Sequence, residues 1–157
     1  MTGLVDAVRD QVSEQCLVEE CDKNGCSVSL LDAPQPRLII DLDGPNSPVG
    51  RSRTRCDYLL IADECSDRSW VVPMEFKNSQ MKVGKVVRQL QAGARTAQQL
   101  ASSRNGISFR PVAVVRGIHR RQRNELRSES NEVSFRGRSE RIRVLVCDDL
   151  LIEALRE

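Results

Sequence analysis

The sequence predicts an α/β (α+β) fold: a single domain spanning residues 1–157, with a mixed central β-sheet flanked by helices. Two observations lead there. Short, β-branched apolar runs crowd the first half, one long stretch of helical period follows, and β-branched runs return after it. Length and composition agree, because 157 residues with 39% hydrophobic and 29% charged side chains suit one shared core rather than a disordered chain.

Taken in order, Leu4, Val5, Val8, Val12, Cys16 and Leu17 recur at helical spacing, so an amphipathic helix is expected over residues 6–20. Asn24-Gly25 is a turn signal ahead of a strand at 26–31. A strand at 37–43 ends in the loop Gly44-Pro45-Asn46-Ser47-Pro48, and the polar, basic stretch 50–55 reads as a mobile loop. Two strands follow closely, 56–62 and 70–76, joined by the polar segment 63–69. Residues 81–102 make the long helix, with Val83, Val86, Val87, Leu90, Ala94, Ala97 and Ala101 on one stripe, and Arg104-Asn105-Gly106 ends it. The apolar run from Ile107 through 111–115 reads as a buried strand, and 119–129 as an Arg-rich loop. Strands at 132–136 and 141–147 and a short helix at 149–155 complete the chain. A right-handed crossover through the long helix makes 70–76 and 107–115 parallel neighbours.

No apolar run is long enough to span a bilayer, and residues 1–11 lack a signal-peptide core, so a cytoplasmic protein without a membrane partner is expected. Six cysteines are then expected as reduced thiols rather than a disulfide frame. Cys56 and Cys147 sit in apolar runs, where a thiol acts as a small hydrophobe. Cys16, Cys21 and Cys26 recur every five residues, which leaves open a zinc or iron–sulfur site.

Net charge is only +2, yet residues 1–78 carry 14 acidic and 8 basic side chains, whereas 79–157 carry 8 and 16. Twenty of the 24 basic residues are Arg, whose planar fork matches phosphate. That asymmetry suits a metal site beside a polyanion-binding surface; a solvated surface accounts for it equally well. Arg116, Arg120, Arg121 and Arg123, with Arg127, form the densest basic run and are the candidate nucleic-acid contacts, to phosphates rather than bases. With one Trp, one Tyr and three Phe, a base-stacking platform is not expected.

The chemistry concentrates in Cys56-Asp57-Tyr58-Leu59-Leu60-Ile61 and Val71-Val72-Pro73-Met74-Glu75-Phe76-Lys77. Asp57 opens an apolar strand, where a carboxylate is out of place unless it serves something. Glu75 and Lys77, two apart at a strand end, point to one face, with Phe76 pointing into the other layer. If the two strands form a hairpin, Asp57 approaches both. Carboxylates forced together raise each other's pKa unless a cation lies between them. One or two carboxylates suit Mg²⁺ or Mn²⁺, which keep waters for chemistry, and a neighbouring lysine can stabilise charge on a phosphate.

Over roughly residues 55–100 this pattern resembles the PD-(D/E)XK nuclease superfamily. Asp57 matches the motif Asp, Glu75 and Lys77 its (D/E)-x-K, although Cys56 stands where the motif has Pro. The helix segment Arg88-Gln89-Leu90 looks like the glutamine-bearing helix of the exonuclease branch, with Gln91 as the alternative. Glu14 or Glu19 would supply the family's first-helix glutamate. The resemblance implies a restriction-endonuclease-like core and a nuclease that hydrolyses phosphodiester bonds, in DNA rather than RNA, with Mg²⁺ or Mn²⁺. Asp57 and Glu75 would hold the metal, and Lys77 and Gln89 would assist. No sequence-reading domain is visible, so a protein partner would supply targeting, and self-association is left open. The competing expectation is an inactive nucleic-acid- or protein-binding module on the same fold.

Overall fold

The computed structural model describes residues 3–64, 67–78, 80–101 and 104–156. Cys65 and the expected helix end at Ser102 lie outside them. Helix α1 (Leu4–Arg9) buries Leu4, Val5 and Val8 but stops well short of the expected residues 6–20. A 3-10 turn at Glu14–Cys16 follows, in which the Ser13 hydroxyl accepts the Gln15 N–H at 3.2 Å, and the chain then extends into β1 (Leu17–Val18). A serine turned onto its own backbone competes with helix. Val12, Cys16 and Leu17 therefore reach the core from a bend, a 3-10 turn and a strand, which helical spacing could not distinguish.

Strands β2 (Cys21–Lys23) and β3 (Cys26–Val28) form a hairpin across Asn24 and Gly25, at φ 54° and 78°. A two-residue turn with both φ positive matches strand twist, and Asn-Gly adopts it at little cost. Next come β4 (Arg37–Asp41), β5 (Tyr58–Glu64) and β6 (Arg68–Lys77), an antiparallel meander. Helix α2 (Val83–Ala101) carries the chain over the sheet to β7 (Ile107–Phe109) and β8 (Val112–Val115), both parallel to β6. Pro111, without an N–H, splits the single strand expected there.

The expected Arg-rich loop is instead helix α3 (Arg120–Leu126). Only Leu126 of that segment is fully buried, so no apolar period announced it, while Arg, Gln, Glu and Leu all favour helix. A second hairpin, β9 (Val133–Phe135) and β10 (Arg138–Glu140), precedes β11 (Arg143–Val146) and helix α4 (Leu151–Arg156).

The central sheet runs β1-β4-β5-β6-β8-β11, with β7 also on β6, so an antiparallel half and a parallel half meet at β6. Both faces are covered. One face packs Leu59, Ile61 and Val71 with Val86, Leu90, Ala94 and Ala97 of α2 and with α1; the other packs Leu60, Val72 and Met74 with Cys21, Val28 and the apolar side of α4. Burial on both faces explains why β5 and β6 read as continuous apolar runs rather than alternating ones. At Gly93 the helix touches the sheet, since a Cβ there would lie 2.5 Å from Cys56 Sγ and 2.9 Å from Pro73 Cβ.

The cysteines depart from the expectation of free thiols. Cys26 and Cys147 form a disulfide, tying the β2–β3 hairpin to the end of β11 across 121 residues of sequence. The same junction is laced by backbone: Asp148 N–H donates to Ser27 O at 2.7 Å and Ser29 N–H to Asp149 O at 2.9 Å. Cys16 and Cys21 are free and buried in opposite core clusters. Cys16, Cys21 and Cys26 therefore do not converge on one ligand.

Candidate active site

Asp57 and Glu75 are the two buried charged residues among those described, at 7% and 1% exposure. Strand pairing brings them together. Met74 faces Tyr58 across the ladder, so Asp57 stands one residue beyond the last pair of β5, level with Glu75 and Phe76. The Asp57 N–H donates both to Met74 O at 3.1 Å and to Glu75 Oε1 at 3.0 Å. In return the Phe76 N–H donates to Asp57 Oδ2 at 2.8 Å. Each carboxylate thus spends one oxygen on backbone at the end of the hairpin.

The other oxygens face lysines. Lys77 Nζ lies 3.0 Å from Glu75 Oε2, and Lys23 Nζ lies 3.6 Å from Asp57 Oδ1. Lys23 also reaches Asp43 Oδ2 at 2.6 Å, and Arg55 Nε reaches the other Asp43 oxygen at 3.2 Å. Lys23 is set in place by its hairpin, which three ties hold: the Tyr58 hydroxyl donating to Asp22 O at 2.6 Å, Arg116 Nη2 donating to Gly25 O at 2.9 Å, and the Cys26–Cys147 bond.

Burial, reinforced by the Asp57 charge, pushes Glu75 up to about 8 despite Lys77. Burial also raises Asp57, against the opposing pull of the Phe76 N–H and Lys23. Lys23 is itself raised: burial opposes its charge, but the Asp43 hydrogen bond and the Asp57 and Asp43 charges outweigh that. A divalent cation between the two carboxylates would favour their ionised forms against that burial. Among the described residues no three His, Cys, Asp or Glu side chains converge as a metal-ligand set. Two carboxylates nevertheless fit Mg²⁺, which commonly takes one or two together with waters and substrate phosphate.

Gln89 and Gln91 separate clearly. Gln91 binds β9 at both ends, its Nε2 donating to Ser134 O and its Oε1 accepting the Ser134 N–H, each at 2.8 Å. Gln89 lies one turn before Gly93, on the face of α2 that meets Cys56, and its Oε1 is buried without a hydrogen-bond partner. Glu14 and Glu19 are both exposed, and no hydrogen bond or ion pair among the described residues links either to Asp57.

Beside the carboxylates opens a cavity of about 540 Å³ walled by the β2–β3 turn, the end of β6 and the start of α2. Lys23, Lys77, Lys82, Lys85 and Arg116 line it, with no acidic side chain among the lining residues. These are all four lysines of a chain whose other twenty cations are Arg. Arg120 and Arg121 are exposed on α3 and Arg123 is half-buried. Gln122 Nε2 of α3 donates to the carbonyl of Met81, a cavity-lining residue, at 3.4 Å, so α3 is tied to the stretch that enters α2.

Lys23, Asp43 and Arg55 were not singled out from sequence. The available signal was the rarity of lysine, which marks Lys23 alongside Lys77. Compared with known proteins, the chain matches no family model, no curated protein and no solved structure.

Proposed function

We propose that the protein is a metal-dependent nuclease that hydrolyses phosphodiester bonds, in DNA rather than RNA, on a restriction-endonuclease-like core. The observation that carries this reading is the clasp between Asp57 and Glu75 at the end of the β5–β6 hairpin, with Lys77 alongside and a cavity next to it whose lining includes four lysines and Arg116. The order of the larger elements supports the PD-(D/E)XK resemblance: a first helix, then, after the short strands β1–β3, an antiparallel three-stranded meander, a crossover helix and a parallel strand.

Asp57 and Glu75 would hold Mg²⁺ or Mn²⁺. The bound ion would polarise a phosphate oxygen and lower the pKa of a water on it. Lys77, beside Glu75, is placed to stabilise charge developing on the phosphate. Gln89, whose buried Oε1 has no hydrogen-bond partner among the described residues, would assist. Arg116, Arg120, Arg121 and Arg123 would hold the nucleic-acid backbone without reading bases. With a divalent ion held by Asp57, Lys23 would keep Asp43, the nearer of its two carboxylate partners.

A second reading has its own observation. Lys23 and Lys77 already neutralise the two carboxylates internally, as in a metal-free binding module. Incubation with plasmid, linear, single-stranded and RNA substrates, each with Mg²⁺, Mn²⁺ or chelator, separates the two. Cleavage that needs the divalent ion supports the nuclease; retention of nucleic acid on a filter without cleavage under any condition supports the module.

A further inference from the structure

We propose that the lysine-lined cavity is a binding site for the terminal phosphomonoester of a nucleic-acid strand, so that the enzyme engages phosphorylated strand ends. This rests on the nuclease reading above and deepens it. Three observations lead here.

The first is charge. Among the described residues five cations line the cavity and no carboxylate does. Lys23 and Lys77 are engaged by Asp57, Asp43 and Glu75, but Lys82 and Lys85 meet no carboxylate among the described residues. Both lysines line the same cavity, at the start of a helix whose first turn holds no acid, where the helix's own field disfavours a cation. An internal diester brings one negative charge, whereas a terminal monoester carries about −1.5 to −2 at neutral pH and three acceptor oxygens. The surplus of cations matches the monoester.

The second is shape. About 540 Å³ lies within the roughly 300–1,000 Å³ range of small-ligand pockets. Lys23 and Asn24 of the hairpin, the end of β6 and the start of α2 all line the cavity, and that volume admits one terminal nucleotide. The hairpin wall is pinned by Arg116 and by the Cys26–Cys147 bond.

The third is continuity. The cavity lining includes Lys77, the partner of Glu75, and Met81, whose carbonyl accepts from Gln122 of the Arg-rich α3. A strand end seated on Lys82 and Lys85 would thus have the carboxylate pair near it and basic side chains to follow outward.

The test is fluorescence anisotropy in chelator, so that no cleavage occurs, with one DNA oligonucleotide prepared with a 5′-phosphate, a 3′-phosphate or hydroxyls at both ends. The expected result is about tenfold or tighter binding of one phosphorylated form over the hydroxyl form. Lys82→Ala/Lys85→Ala should equalise the forms, and Lys82→Arg/Lys85→Arg should restore the preference; both positions are exposed, so both double variants should fold normally. Equal affinity for all three forms overturns the inference, and Mn²⁺-dependent cleavage of them would still uphold the nuclease reading. A phosphate preference without cleavage on adding Mn²⁺ upholds the phosphomonoester site and overturns the nuclease reading instead. Adenosine monophosphate competing as well as the phosphorylated strand would reassign the site to free nucleotides and overturn the strand-end assignment.

Discussion

The Phe76 N–H donates to Asp57 Oδ2 at 2.8 Å, so the β5–β6 ladder ends on a side chain instead of on backbone. With the Asp57 N–H returning to Glu75 Oε1 at 3.0 Å, the two carboxylates are held by the hairpin itself and not by long, mobile side chains. This geometry decides which substitutions are informative. Asp57→Asn keeps an acceptor for the Phe76 N–H while removing the charge, whereas Asp57→Ala leaves a buried donor unpaired.

Glu75 gives the first prediction. Its carboxyl is held at about 8 in the fold against an ordinary value of 4.5, by burial first and the Asp57 charge second. Between those values the folded state binds more protons than the unfolded state, so stability falls as pH rises through the window. Glu75→Gln removes that loss. In metal-free melts its advantage over wild type should be small near pH 4.5 and grow until about pH 8. A gap that stays constant with pH would show that Glu75 ionises as an ordinary exposed carboxyl.

Gly93 gives the second. A Cβ at this position would meet Cys56 Sγ at 2.5 Å and Pro73 Cβ at 2.9 Å. Gly93→Ala should therefore destabilise by about 1–3 kcal/mol, the usual scale of core overpacking. Cys56→Ala should rescue part of that loss, because it removes the nearer atom but not Pro73. Denaturant titration of the two single variants and the double variant measures the coupling, and strict additivity would place the contact elsewhere.

How far the sequence carried this picture depended on whether a feature was local. The hairpin of β5 and β6, the stripe on α2 and the Asn24-Gly25 turn follow from residues near in sequence, and the structure has all three. Asp57 and Glu75 stood out because carboxylates are conspicuous in apolar strands, and the register does bring them into contact. Lys23 and Asp43 reach the cluster only because Tyr58, Arg116 and Cys147 pin the hairpin, contacts 36 to 121 residues distant in sequence. Nothing in cysteine spacing distinguished Cys26 from Cys16 and Cys21 as the disulfide partner of Cys147. The α3 helix was hidden for the opposite reason, since one apolar anchor, Leu126, makes no period.

The α3 arginines give the third prediction. Arg120→Ala/Arg121→Ala/Arg123→Ala should weaken nucleic-acid binding and flatten its salt dependence, with the log–log slope falling by about one unit for each phosphate no longer held. Arg123 is the half-buried member of the three, its Nε enclosed and without a hydrogen-bond partner among the described residues, so the Arg120→Ala/Arg121→Ala double variant separates phosphate binding from packing. An unchanged slope in both would mean that α3 faces solvent only.

The fourth prediction divides the roles of Glu75 and Lys77, which pair at 3.0 Å. Lys77→Ala should still bind Mn²⁺, and more tightly than wild type, because an ammonium no longer competes for Glu75. Its cleavage should nevertheless slow at least about a hundredfold, the scale of losing one charge-stabilising donor. Glu75→Ala should lose metal affinity and cleavage together. Calorimetric titration of Mn²⁺ into both variants decides; if Lys77→Ala loses metal as completely as Glu75→Ala, Lys77 is a structural partner of the carboxylates.

The most direct measurement for a metal-dependent nuclease is cleavage of DNA by wild type and Asp57→Asn, with Mn²⁺ or chelator, alongside melting curves of both proteins. Wild type should cut only with the divalent ion. Asp57→Asn should not cut, while melting at or above the wild-type temperature, since it keeps the Phe76 hydrogen bond and removes a charge that burial disfavours. Cleavage by Asp57→Asn at the wild-type rate, in a protein that melts normally, would contradict the assignment of Asp57 and the nuclease site built around it.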